Sequence, residues 1–399
     1  MIRPNSFDQG FGNSTMSDLI KNLRIGGTIS LMVIASRFII FLVAYCAFLY
    51  LHNKYAGFGT SFQQLWDRWD SDHYLFIAQH GYVATPEDKA WIVFGPLFPF
   101  LIRAFYLLIH NFFWSGIIVS NLCLIIGSFF LYKLTELDHD SETALRCVKY
   151  LLIYPFSFFF SIVYTESLFL MLFILSTYLT RRRKLPQAGI CAMLAVFTRP
   201  SAGIFFLVIF FAEYFLFLRG KYLLENNLPS QWFKDIAFKS FVPACVIIGY
   251  FLYLLLNKVV LNDWLAFHTW EKTFWGHHYS FLPQNIYSII CNIKKSSPFE
   301  NICLWIPQLA SFFIPTFLGL LAVKRLRTSY ILYFLIYIFS IYSVYWIISG
   351  ERYILIAFPL YMILGIFSNN KLVDFILTFT SIAFLAFYTI AFSNSSFVM

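Results

Sequence analysis

The chain has 399 residues, 59% of them hydrophobic and 12% charged, with a mean hydropathy of +0.69. Long apolar runs exclude a soluble protein, and because they are continuous rather than alternating they exclude a membrane β-barrel. The net charge of +9 comes from basic residues gathered in short loops between apolar runs, the mark of cytoplasmic loops, and so points to membrane topology rather than to a nucleic-acid partner.

Apolar segments fall near 28–51, 92–110, 116–133, 148–180, 187–199, 201–218, 240–257, 303–323, 330–348, 352–368 and 372–392. Taken as one crossing each, with 148–180 broken at Pro155 and at Tyr164 to Ser167, they predict an all-α polytopic bundle of about eleven spans. Residues 1–27 read as a cytoplasmic tail and 28–399 as a single transmembrane domain. With the N-terminus inside, the Arg181-Arg182-Arg183-Lys184 run, Arg219/Lys221 and Lys324/Arg325/Arg327 all fall inside; splitting 148–180 in two would put the first of these outside. The loops 52–91, 133–147 and 258–302, with Glu351, then fall on the other face and hold 13 of the 20 acidic residues. The seven cysteines have no metal-ligand spacing, although Cys291 and Cys303 share an external loop where a disulfide is an option.

The first external loop opens with Trp66-Asp-Arg-Trp-Asp-Ser-Asp-His73. If Trp66 to Ile77 is one helix, Asp70 and His73 share a face with Trp66 and Ile77, and Asp72 points roughly 200° away. A carboxylate beside an imidazole at a membrane face suits general-base chemistry; acids that merely face water are the other reading. Asp70-Ser71-Asp72 is also a DxD triplet, so a divalent cation is an option at Asp70/Asp72, with no certain cofactor otherwise.

Ionisable residues at membrane depth are costly and mark function or helix pairing. Glu166, beside Tyr164, is a candidate for substrate contact or else pairs with an arginine to hold two helices together; Arg199, before Pro200, is a candidate for binding a phosphate or else snorkels. Arg37 and Glu213 read as snorkelling or helix-pairing groups. In the second external loop His268 and Trp270 stand among aromatic rings that either stack on a saccharide or form an interfacial belt. A polar turn at Ser349 to Tyr353 supplies Glu351 and Arg352.

From Arg68 to Tyr82, with Phe94-Gly-Pro-Leu-Phe-Pro99, Tyr154 to Ser157, Tyr164 to Phe169 and Thr198-Arg-Pro-Ser-Ala-Gly203, the chain resembles the PIG-V family of mannosyltransferases. A weaker echo lies at Glu351 to Tyr353. The resemblance implies a GT-C fold with a catalytic first external loop. It also implies a polyprenyl- or dolichyl-phosphate sugar donor, a lipid or glycan acceptor, and no nucleic acid. Asp70 matches the aspartate of the family's RWD element and becomes the expected base, with His73 or Asp72 orienting it. Trp69, Tyr164, Glu166, His268, Trp270 and Glu351 become the expected substrate contacts, and Arg199 and Arg352 the holders of the donor phosphate. The implied location is a bacterial inner membrane or endoplasmic reticulum, with the site periplasmic or lumenal. A transporter or flippase of lipid-linked sugars is the alternative, since it too needs buried charge and broken helices.

Overall fold

The computed structural model describes residues 16–52, 57–85, 88–224, 240–346, 348–394 and 398; most of the 1–27 tail lies outside them. Among the described residues the secondary structure is helical apart from one isolated bridge between Tyr279 and Val344. The helices are α1 (Met16–His52), α2 (Phe58–Trp66), α3 (Asp70–His80), α4 (Leu97–Ile109), α5 (Phe112–Glu136), α6 (Ser141–Ile153), α7 (Glu166–Arg181), α8 (Leu185–Thr198), α9 (Phe206–Leu224), α10 (Phe241–Leu261), α11 (Ala266–Phe274), α12 (Leu282–Lys295), α13 (Ile306–Leu321), α14 (Thr328–Tyr342), α15 (Gly350–Leu355), α16 (Pro359–Phe367) and α17 (Lys371–Ser393). Six helical stretches are long and apolar enough to cross a bilayer. Their outward faces expose side chains such as Leu31, Phe38, Ile247 and Phe379, which only lipid would cover. This is a multi-pass membrane protein.

Ion pairs fix which element ends lie together. Lys21 meets Glu136 at 3.1 Å, Arg181 holds both oxygens of Asp138 at 2.7 and 2.8 Å, and Arg327 binds Glu213 and approaches Asp138. The start of α1, the ends of α5 and α7 and the loop before α14 therefore share one basic end of the bundle. The loop 133–147 belongs to that end: Glu136, Asp138 and Glu142 are counterions to basic residues there and Asp140 caps α6, rather than forming part of the external face expected for them.

Two expectations fail together and cancel. The segment 92–110 does not cross: Phe98 packs on Tyr74 of α3, Tyr106 lies with Asp67 and Asp72, and both ends of α4 stay at the end of the bundle opposite the arginines. The segment 148–180 crosses twice, because α7 returns Arg181 to Asp138. The number of passes stays at about eleven: α1, α5 to α10, α13, α14, α15 with α16, and α17.

The turn between α6 and α7 is held from α1. Pro155 ends the helical ladder, leaving carbonyls without partners at membrane depth. Arg37, 3% exposed, donates to the Leu152 carbonyl and to that of Ser157 at 2.7 Å. A guanidinium with several fixed donors suits such a carbonyl cluster, so Arg37 caps a broken helix and does not snorkel. Glu213 is a helix-pairing group, bonded to Arg327 and Ser329.

Candidate active site

The segment expected to run as one helix from Trp66 to Ile77 is two. Helix α2 stops at Trp66, and Trp69 takes φ 54°, ψ −119° before α3 starts at Asp70. A bulky residue at positive φ costs of order 1–3 kcal/mol and persists where surrounding packing dictates it. The consequence is directional: Trp66 leaves the line of Asp70 and packs fully buried against Phe41 and Phe392, while Asp70 at the helix start faces the bundle.

There Asp70 Oδ2 lies 2.7 Å from Arg352 Nη1. Arg352 Nε lies 3.4 Å from Glu166 Oε1, and Arg199 Nη1 donates to the same oxygen at 3.0 Å. Four groups from four distant parts of the chain thus form a row, Asp70–Arg352–Glu166–Arg199, with balanced formal charge. The glutamate side chain is 1% exposed and the aspartate 15%, so the row runs from a buried anchor to an accessible carboxylate. Tyr353 lies under both guanidiniums, at 5.1 Å from Arg199 and 5.8 Å from Arg352. The Tyr164 ring lies 5.3 Å from Arg352, in cation–π range.

The motif segments are stitched to one another. Tyr164 Oη donates to the Arg68 carbonyl at 3.1 Å, Tyr74 Oη and Thr165 Oγ1 lie 3.3 Å apart, and Tyr82 Oη donates to the Phe94 carbonyl at 2.6 Å. Gly95 passes so close to the Thr198 carbonyl that a Cβ there would come within 2.2 Å of it. That close approach docks the 94–99 segment on the junction carrying Arg199.

His73 does not bond Asp70. Its ring stacks on Trp91 with centroids 3.8 Å apart, and burial lowers its pKa against the opposing charges of Asp70 and Asp72, so it is neutral at neutral pH. Trp91 is fixed by Asp88 through its indole N–H at 3.1 Å and walled by Phe274 and Trp275 from the second external loop. That loop reaches the site through Trp275 and through Glu271, which is in electrostatic range of Tyr353. His268 is exposed and Trp270 half-buried on α11. Glu351 is fully buried, and among the described residues neither of its carboxylate oxygens has a hydrogen-bond partner. It acts on Tyr154, Tyr342 and Tyr388, off the charged row.

Asp70 and Asp72 do not converge. Asp70 is engaged by Arg352, whereas Asp72, two residues on around the helix, opens onto a different cleft with Asp67. The DxD pair therefore does not fit a shared divalent ion, and among the described residues no group of three His, Cys, Asp or Glu side chains gathers at metal-binding distance. Cys291 and Cys303 are both free thiols. Of the groups around the row, Tyr353 and Trp91 were not expected; the first follows Arg352 directly in the sequence, and the second has no sequence signal beyond an aromatic residue near an acid.

Residues 93–247 match the family model described as dolichyl-phosphate-mannose-protein mannosyltransferase. Among solved structures the chain is similar to ArnT from Cupriavidus metallidurans bound to undecaprenyl phosphate, with a TM-score of 0.53 and 11% identity. The similarity covers 87% of this chain and 61% of that one. The fold is GT-C. No curated protein matches the chain. Within this GT-C bundle the matched region begins just before Phe94, takes in Glu166 and Arg199, and ends in α10.

Proposed function

We propose that the protein is an inverting glycosyltransferase that moves a hexose from a polyprenyl- or dolichyl-phosphate donor to a lipid or glycan acceptor at the non-cytosolic membrane face. The observation that carries this is the row Asp70–Arg352–Glu166–Arg199 at the end of the bundle opposite the basic loops. The matched family and the lipid phosphate named with the similar structure point the same way. Mannose is the sugar this reading favours. The basic loops then face the cytosol and the row faces periplasm or lumen.

The chemistry asks little of the protein. The acceptor hydroxyl oxygen attacks the anomeric carbon, the bond from that carbon to the phosphate oxygen breaks, and its electron pair leaves on the phosphate. The hydroxyl proton passes to the Asp70 carboxylate, the most accessible acid of the row. Arg352 orients Asp70 with one edge of its guanidinium and retains further N–H donors. Those donors and the ones of Arg199 can take up the negative charge that grows on the leaving phosphate. Glu166 keeps both cations in place before donor arrives, and Tyr164 fixes the loop bearing Asp70 rather than offering its hydroxyl to sugar. His73 and Trp91 form an aromatic wall for the acceptor side.

The test is purified protein in lipid nanodiscs, given labelled polyprenyl-phosphate mannose and a lipid extract, with products resolved by chromatography and mass spectrometry. Transfer by the wild type and none by Asp70→Asn is the expected result. A fully active Asp70→Asn protein would overturn the assignment.

A further inference from the structure

On the other side of α3 from the charged row, a cleft of about 560 Å³ opens between α2, α3 and the α4–α5 corner. Its size lies in the usual range of about 300–1,000 Å³ for small-molecule sites. The carboxylates of Asp67 and Asp72 and the carboxamides of Gln63 and Gln79 line one side. The Tyr106 and Phe112 rings, stacked with centroids 4.0 Å apart and 11° between planes, line the other. Neither Lys nor Arg lines it. Arg68, beside the cleft, lies in electrostatic range of both carboxylates and also donates from Nη2 to the Ser393 carbonyl at 3.2 Å.

These features select a ligand. An anion would meet two carboxylates and no lining cation, so phosphates and nucleotides are disfavoured. An apolar ligand would strand the polar side chains that line it, Gln63, Asp67, Asp72, Gln79 and His110 among them. A ring with an apolar face and a polar rim satisfies both walls: aromatic rings take the face, while carboxylates and carboxamides accept from and donate to the rim. A divalent ion fits less well, because Asp67 Oδ2 already accepts from Gln63 Nε2 at 3.1 Å and hard cations need six or more oxygens.

We propose that this cleft is a second saccharide site, taking a neutral or amino-bearing sugar ring at a place distinct from the charged row. It goes beyond the transfer reading, because binding there needs no turnover and no donor. In the framework of that reading it would hold a sugar of the acceptor some way from the reacting hydroxyl.

The experiment is saturation-transfer NMR on the full chain in nanodiscs, which avoid sugar-headed detergents. The probes are glucosamine, methyl glucoside and glucose 6-phosphate. Glucosamine and methyl glucoside should respond and glucose 6-phosphate should not. Asp72→Asn, at an exposed position, should cut the glucosamine response at least about fivefold, and Tyr106→Ala should reduce both responses. Asp138→Asn, at the basic end of the bundle away from both sites, should change neither. Equal glucosamine responses in wild type and Asp72→Asn, a stronger response from glucose 6-phosphate, or loss of the sugar response on adding calcium ions would each overturn the proposal. Since no transfer is measured, an inactive enzyme with a responsive cleft, or the reverse, separates this inference from the proposed reaction.

Discussion

Arg352 Nη1 lies 2.7 Å from Asp70 Oδ2, joining the first loop after α1 to a short helix near the C-terminal end of the chain. The same guanidinium reaches Glu166 through Nε, so one planar fork spans two acids. Lysine carries the charge but not the fork. Arg352→Lys should therefore fold and yet transfer about 10- to 100-fold more slowly, while Asp70→Asn should lose at least about a hundredfold through the missing base. Steady-state rates with melting temperatures check both; equal activity of Arg352→Lys and wild type would refute the bridging role.

Glu166 is the buried counterion of two arginines. Replacing it with leucine strands Arg199 and leaves Arg352 with Asp70 alone, at a cost of about 3–5 kcal/mol. Glu166→Leu should melt well below wild type, and Glu166→Leu with Arg199→Met should regain part of the loss. Thermal unfolding of the single and double variants reads the coupling; strict additivity would contradict it.

The basic end calls for the opposite outcome. Burial alone would raise the Asp138 pKa, but the hydrogen bonds and charge of Arg181, with Arg327 behind, more than offset it and hold the carboxyl below its usual value. The stabilisation is thus present at neutral pH and lost only on acidification below about pH 4. Asp138→Asn should lower stability by about 1–2 kcal/mol, nearer the surface than the buried value, with transfer unchanged. Loss of activity at full stability would instead place this end in the reaction.

Gly95 tests the docking of two motifs. Alanine there drives Cβ into the Thr198 and Phe197 carbonyls, and backbone has to move at about 1–3 kcal/mol. Gly95→Ala should lower both melting temperature and activity, because Arg199 sits on the displaced junction. Gly27→Ala, with open space around it, should do neither.

The cleft should respond to pH. Burial, with the charge of Asp72 adding and the Gln63 hydrogen bond opposing, raises the Asp67 pKa to about 6. Arg68, Asp72 and His110 are the other charged or titratable groups facing it. Asp67 ionises as pH rises through that value, so glucosamine should bind more tightly at about pH 7 than at about pH 5, and methyl glucoside should change little. A flat glucosamine profile over that range would show that Asp67 takes no part.

The membrane class and the meeting of Asp70, Glu166, Arg199 and Arg352 were legible in the sequence, whereas the number of passes agrees only because two misplaced crossings cancel. Each rests on a strong local signal: continuous apolar runs, or charge where charge is costly. What could not be read was direction. The apolar run 92–110 has span-like composition, yet α4 stays at one end because its inner face is bespoke for α3. The run 148–180 looks like one broken crossing because charge parity is satisfied whether one segment or another supplies the missing pass. Trp69 at positive φ had no signal at all, since nothing in Arg-Trp-Asp announces a residue held against its own preference. That turn separates Asp67 from Asp70 and aims Asp70 at the charged row, while the winding of α3 carries Asp72 round to the cleft.

The cap that Arg37 places on the α6–α7 turn has a temporal side. During synthesis α1 enters the bilayer before α6 and α7, carrying a cation whose acceptors are not made until more than a hundred residues later. Until then the nascent chain holds an unmet charge in lipid, and the α6–α7 turn cannot set. Arg37→Leu should therefore impair assembly in pulse-labelled membranes, seen as protease-sensitive chains, more than it impairs molecules that have already matured.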